Sequence, residues 1–258
     1  MSPRTPPDRT LDLTVSTLVA MPGAGSDGHY ARRAFGPLAD ALGVPLVAVD
    51  PGPAGIVATC LEALDAAARS GPVIAAGVSI GGCVAVHWGA RAGTDCAAVV
   101  AAAPPWAAGG SAASPAPAAA AALTTVALLE DEGLDAALAA LRAGAPPWLA
   151  DELTRSWTAL GPHLTAHLRE AATTVIPSSE DLARLAAPTA LIAIADDPVH
   201  PAAVAQEWAR QVHTGSMGTI SFEEWAADPG TISRTALDVL VGLTTASGRA
   251  ENRRGQRP

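Results

Sequence analysis

The segment Gly77-Val78-Ser79-Ile80-Gly81-Gly82 has the residue types and spacing that nucleophilic chemistry needs. A serine hydroxyl becomes a useful nucleophile only when the backbone presents it clear of its neighbours and a base takes its proton. Glycines two residues before and two after the serine allow a tight strand-to-helix turn that lifts the hydroxyl above the end of the strand. The flanks suit such a turn, since residues 73–77 are apolar and read as a strand while CVAVHWGAR reads as a helix. The alternative is a plain glycine turn with a bystander serine. Chemistry therefore requires a base, and six histidines are available: His29, His87, His163, His167, His200 and His213.

Six apolar stretches read as strands, at residues 14–21, 45–50, 73–77, 97–103, 189–195 and 217–222, each bounded by turn residues. Asp27 can cap a helix through Arg32, Phe35, Leu38 and Leu42, which Gly43 closes. Further helices are expected over 55–69, from residue 80 onward, over 201–212 and over 232–243. Strands alternating with helices imply an α/β protein with a mostly parallel sheet covered on both faces. About eighty residues between the fourth and fifth strands carry no strand signal, too many for an ordinary loop. They read as a helical insertion, with helices over 123–129, 134–141, 148–160, 163–172 and 179–185. The expected organisation is a core of residues 1–106 and 186–247 with a disordered start, an inserted lid at 107–185, and a disordered tail at 248–258.

A chain of 258 residues suffices for one well-buried core. Hydrophobic residues make up 49% and charged residues 16%, a balance that favours a globular body over a disordered one. Alanine-rich stretches such as 101–123 inflate the apolar count and suit helix or linker better than a dense core. A net charge of −9 and a pI near 5.0 leave no basic footprint for a phosphate backbone, so nucleic acid is not an expected partner. Arg249, Arg253, Arg254 and Arg257 read as a solvated terminus. Cys60, Cys83 and Cys96 are odd in number, dispersed and without metal-ligand spacing, so they read as reduced, packed thiols. No metal or cofactor is expected. Without a long apolar run, neither a signal peptide nor a membrane span is expected, and the implied location is cytoplasmic.

The order of these elements, with the Ser79 elbow between the third strand and its helix, resembles the α/β-hydrolase superfamily over nearly the whole chain. The segments PGAGSD, ADELTRSW and DDPVHP together resemble actinobacterial members of it. The resemblance implies the α/β-hydrolase fold with Ser79 as nucleophile. It also implies an oxyanion loop before the first main helix, where residues 21–27 (MPGAGSD) resemble the H-G-x-G block with Pro22 in place of histidine. The backbone amides of Ala24 and Ile80 are then the implied oxyanion hole.

The implied acid follows the strand after the lid, in a pattern like D-P-x-x-P. Residues 196–201 (DDPVHP) fit, with Asp197 as the acid and Asp196 as the neighbouring alternative. A second possible acid site, after the fourth strand, is empty: it reads Ala103-Pro104-Pro105-Trp106. The implied base lies after the last strand, before an Asp-Pro that opens the final helix. Asp228-Pro229 is present, but Phe222 or a neighbour stands where the histidine belongs. An unactivated serine is a poor nucleophile, so the base is either relocated or lost.

Topology sorts the histidines. His87 lies roughly 12 Å along the helix from Ser79, at about 1.5 Å per residue, and points away from the elbow. His213 ends a helix running to the opposite sheet edge, and both read as structural. His29 opens the first helix, while His163 and His167 belong to the insertion. His200, three residues past Asp197, sits at the edge where Ser79 stands and is the best relocated base. Its alternative role is a loop histidine that caps or packs.

The leading expectation is a serine hydrolase acting on a small-molecule ester or thioester, with Trp106, Trp148 and Trp157 covering an apolar acyl or aromatic group. These tryptophans can also be plain lid core. The rival expectation is a hydrolase-fold protein that kept the elbow, lost the base and binds without hydrolysis.

Overall fold

The computed structural model describes residues 13–110 and 116–254. Residues 1–12, within the start expected to be disordered, residues 111–115 of the alanine-rich stretch, and the last four residues of the tail lie outside the described residues. Six strands, β1 (Thr17–Met21), β2 (Leu46–Ala48), β3 (Val73–Val78), β4 (Cys96–Ala102), β5 (Thr189–Ala195) and β6 (Gly215–Ser221), form one sheet in the order β2-β1-β3-β4-β5-β6. Every pairing is parallel. Strands β1, β3, β4 and β5 are buried on both faces, which is why they read as unbroken apolar runs. Strand order reverses between β1 and β3, so a crevice opens at their carboxyl ends.

The helices are α1 (Gly28–Leu42), α2 (Ile56–Ala68), α3 (Ile80–Ala92), α4 (Pro117–Asp131), α5 (Leu134–Gly144), α6 (Pro147–Leu160), α7 (Leu164–Thr173), α8 (Ser179–Arg184), α9 (Ala202–Gln211), α10 (Phe222–Ala227) and α11 (Thr231–Arg254). Alternation along the strands sends Val19, Ala75, Val99 and Leu191 to the face covered by α2, α3 and α9, and Leu18, Ile74, Val100 and Ile192 to the face covered by α1 and α11. Part of the alanine content belongs to this sheet rather than to helix or linker: Ala75, Ala76, Ala98, Ala101 and Ala102 are fully buried. Ala75 and Ala101 lie on the face that α3 covers, and the small Ala101 lets that helix approach closely through its glycines. A Cβ on Gly82 would stand 3.4 Å from Ala101 Cα, and one on Gly89 only 2.8 Å from Val99 Cγ2.

Asp27 caps α1 by accepting the Tyr30 amide at 3.2 Å, and Gly43 closes that helix in the left-handed conformation (φ 65°). Helices α4 to α7 share a small core of their own, built on Val126, Leu138, Trp157, Leu160, Leu164 and Leu168. Helix α8 differs from the rest of the insertion, because it packs on α3 instead. Helix α10 has no counterpart in the expected elements. A reciprocal capping box starts it: Ser221 Oγ accepts the Glu224 amide at 3.0 Å, and the Glu224 carboxylate accepts the Ser221 amide at 2.7 Å. Helix α11 continues to Arg254, into the segment expected as a tail. Among the described residues no helix is long and apolar enough to cross a membrane.

Candidate active site

Ser79 stands between β3 and α3 with φ 54° and ψ −120°, a backbone conformation that costs a non-glycine residue about 1–3 kcal/mol. Its surroundings over-determine that strain. A Cβ on Gly77 would lie 2.2 Å from Gly81 C, and one on Gly81 would lie 2.6 Å from Met21 O, so both flanking glycines are sterically required. The Ser79 amide donates to Ala102 O at 2.9 Å and its carbonyl accepts the Cys83 amide at 3.1 Å. The other non-glycine residues with positive φ among those described, Ala103 (49°) and Asp196 (62°), follow β4 and β5 at the same sheet edge.

The turn after β5 brings two expected residues to Ser79. His200 Nε2 lies 3.1 Å from Ser79 Oγ, and His200 Nδ1 lies 2.8 Å from Asp197 Oδ2. The other carboxylate oxygen of Asp197 accepts the backbone amides of Val199 at 2.8 Å and His200 at 3.2 Å. This Asx-type turn folds the residue three positions on back over the acid. Burial alone would raise the Asp197 carboxyl, but hydrogen bonding and charge from His200, with the Val199 and His200 amides, hold it below the usual carboxylate range. With Nδ1–H donating to Asp197, the imidazole turns its Nε2 lone pair toward the serine hydroxyl. Asp196 is exposed, so of the two adjacent acids only Asp197 meets the imidazole.

The remaining histidines stand apart from Ser79. His87 pairs with Asp181 at 3.1 Å, His29 lies 4.0 Å from Glu152, and His167 Nε2 meets the Gly52 carbonyl at 2.9 Å. His163 stacks on His167, and His213 is exposed beyond α9. Phe222 occupies the position after β6 where the resemblance places a histidine, and it forms an aromatic cluster with Trp225 and Trp148, at centroid separations of 5.2–5.7 Å.

The glycine-rich loop after β1 packs directly on the elbow: a Cβ on Gly23 would lie 3.5 Å from Ser79 Cβ. The amide of Ile80, as the first residue of α3, is free of the helix ladder, and the N-terminal dipole of α3 favours negative charge beside it. Ala24, Ser79 and His200 line one cavity of about 380 Å³. Helices α4 to α7 line it through residues such as Ala122, Leu141, Leu153 and Leu168, together with Trp148, Phe222 and Trp225. Trp148 and Trp157 both line this cavity. Trp106 does not, which corrects its expected place in the pocket. It is buried in the sheet-side core, with its indole donating to Ile176 O at 3.0 Å and its carbonyl accepting Trp208 Nε1 at 3.0 Å.

Sequence reading also missed pocket residues. Tyr30, whose hydroxyl accepts Trp225 Nε1 at 2.6 Å, lines the cavity, and burial pushes its phenol up. Phe222, in the register the resemblance gives to the histidine, and Trp225 line the same cavity. Among the described residues, Asp27, His29 and Glu152 could offer three metal-binding atoms within 4.8 Å of one another. Arg155 already clasps both Asp27 oxygens at 2.7 and 2.8 Å and also pairs with Glu152, which Arg33 meets at 2.8 Å. The cluster is accordingly an ion-pair network between α1 and α6.

The chain matches no family model and no curated protein. Its likenesses are structural. An esterase, RhEst1 from Rhodococcus sp. ECU1013, superposes with a TM-score of 0.68 at 18% identity over 90% of this chain and 94% of its own. MenH from S. aureus does so at 0.67 and 15% identity, covering 90% and 96%. An alpha/beta hydrolase from Sphaerobacter thermophilus DSM 20745 gives 0.58 at 20% identity, covering 88% and 94%. The parallel six-stranded sheet with its serine elbow and these likenesses agree: the chain has the α/β-hydrolase fold.

Proposed function

We propose that this protein is a serine hydrolase that cleaves a small carboxylic ester or thioester through an acyl-enzyme on Ser79. The observation that carries the reading is the continuous line Ser79 Oγ to His200 Nε2 (3.1 Å) and His200 Nδ1 to Asp197 (2.8 Å). His200 takes the hydroxyl proton as Ser79 Oγ attacks the substrate carbonyl carbon, and Asp197 stabilises the imidazolium that results. The oxyanion forms against the Ala24 and Ile80 amides, donors of a kind worth about 3–4 kcal/mol when optimally placed. Collapse expels the alcohol or thiol, which leaves with the proton from His200. Water, deprotonated by His200, then attacks the acyl carbon and regenerates the Ser79 hydroxyl.

The apolar lining, with aromatic rings from α6 and α10, suits a short apolar or aromatic acyl group. The insertion from α4 to α7 acts as the lid in this reading. A histidine missing after β6 would favour a non-hydrolytic binder, but in this reading His200 supplies the base from the preceding loop. A fluorophosphonate probe tests the proposal: stoichiometric labelling mapped to Ser79 by peptide mass spectrometry, and lost in Ser79→Ala, is expected. Wild-type protein that resists the probe while folded would overturn it.

A further inference from the structure

Ser156 of α6 is fully buried, and its Oγ donates to the Gly25 carbonyl at 2.6 Å, in preference to its own-helix alternative, Leu153 O, at 3.3 Å. The N–H of that same peptide unit, carried by Ser26, donates to the Gly23 carbonyl at 3.1 Å. The Gly23 carbonyl in turn shares its peptide unit with the Ala24 N–H. In a trans peptide the C=O and N–H point in opposite directions, so fixing one end of the unit fixes the other. Gly25 has φ +73° while Ala24 keeps an ordinary negative φ, which makes residues 23–26 a type II turn.

The result is a directed chain: Ser156 hydroxyl to the 25–26 peptide, that peptide to the 23–24 peptide, and the Ala24 N–H at its end. We propose that Ser156 is a positioning residue, which holds and polarises the Ala24 amide for the oxyanion through two intervening peptide units. The inference rests on the reading of Ser79 as nucleophile. Each hydrogen bond in such a chain strengthens the next by something like 10–30%. Two further contacts hold α6 against the same loop. Arg155 clasps Asp27, and the Trp157 indole lies so close to Gly25 that a Cβ there would be 2.6 Å from Nε1. The oxyanion donor is therefore complete only while α6 is docked, which couples the cap to the chemistry.

The test uses Ser156→Ala and Ser156→Thr in the full chain, read by p-nitrophenyl butyrate hydrolysis and by the Ala24 amide resonance in 15N-labelled protein. Ser156→Ala is expected to lose roughly tenfold in kcat with KM changed less than about twofold, and to shift the Ala24 amide proton upfield. Ser156→Thr keeps the hydroxyl and is expected to restore both. An unmoved Ala24 resonance in Ser156→Ala overturns the proposal, as does a folded Ser156→Thr no better than Ser156→Ala. If the threonine variant does not fold, the resonance in Ser156→Ala decides alone. Full turnover in Ser79→Ala would sink the nucleophile reading instead, and the resonance would still decide whether Ser156 orients the Ala24 amide.

Discussion

Two histidine–aspartate pairs sit among the described residues, and they have different surroundings. His200 and Asp197 lie 2.8 Å apart in one turn after β5, with the free imidazole nitrogen 3.1 Å from Ser79. His87 and Asp181 lie 3.1 Å apart between α3 and α8, with Arg91 only 2.6 Å from the other carboxylate oxygen. Both carboxyls are held below their usual range. What differs is the third partner: a hydroxyl on a strained turn in one case, a guanidinium in the other. A cation next to the acid leaves the pair nothing to deprotonate, so α3 and α8 gain a clasp. The lesson is that a His–Asp pair becomes a candidate base by what it faces.

The two pairs should differ most in variants of the serine and of each acid. On p-nitrophenyl butyrate, Ser79→Ala is expected to lower kcat by about 10⁴-fold or more and Asp197→Asn by about 10³-fold, while Asp181→Asn leaves kcat within about twofold. A loss in Asp181→Asn equal to that in Asp197→Asn would erase the distinction between the pairs. A smaller effect is expected at the aromatic wall. Trp148→Ala should raise KM for the butyrate ester roughly tenfold with kcat largely kept, because it removes ground-state and transition-state contact alike; a pure kcat loss would move Trp148 out of the acyl site.

At the other pair, His87→Ala should leave turnover unchanged and cost about 1 kcal/mol of stability in urea melts, the ordinary worth of a partly buried hydrogen bond. The smallest signal is in acid. The folded-state carboxyl of Asp181 lies low because, although burial would raise it, the Ser178 amide and His87 outweigh that effect. Its contribution to stability is present in full above the unfolded carboxylate pKa of about 3.9 and is lost as pH falls through the lower folded value. Wild type should therefore be more stable than Asp181→Asn at pH 7 and converge with it toward pH 3. A gap that persists undiminished at pH 3 would show that the pair acts through packing alone.

Much of this architecture is written locally in the sequence. Apolar runs such as 189–195 mark doubly buried strands, Asp27 and Gly43 bound α1, and the glycines around Ser79 mark a turn that their own backbone contacts require. The spacing of Asp197 and His200 is equally local, since an Asx turn of three residues suffices to join them. Long-range placement was not legible. Trp106 carries the same aromatic signal as Trp148, yet an indole hydrogen bond to Ile176, seventy residues away, commits it to the core. Helix α8 belongs to the same insertion as α4 to α7, yet Leu182 and Leu185 in the sheet-side core, with Asp181 meeting His87 and Arg91, set it on α3. The bond from Ser156 to Gly25 spans 131 positions, and no local pattern announces it.

The measurement that bears most directly on the central claim is ester hydrolysis by His200→Ala beside His87→Ala, with Ser79 intact in both. His200→Ala is expected to lose about 10³-fold or more in kcat, with a loss in the Ser79→Ala/His200→Ala double variant no greater than in Ser79→Ala alone, since members of one catalytic unit are not additive. His87→Ala should match wild type. Wild-type turnover in folded His200→Ala, on a substrate for which Ser79→Ala is inactive, would contradict the assignment of the base.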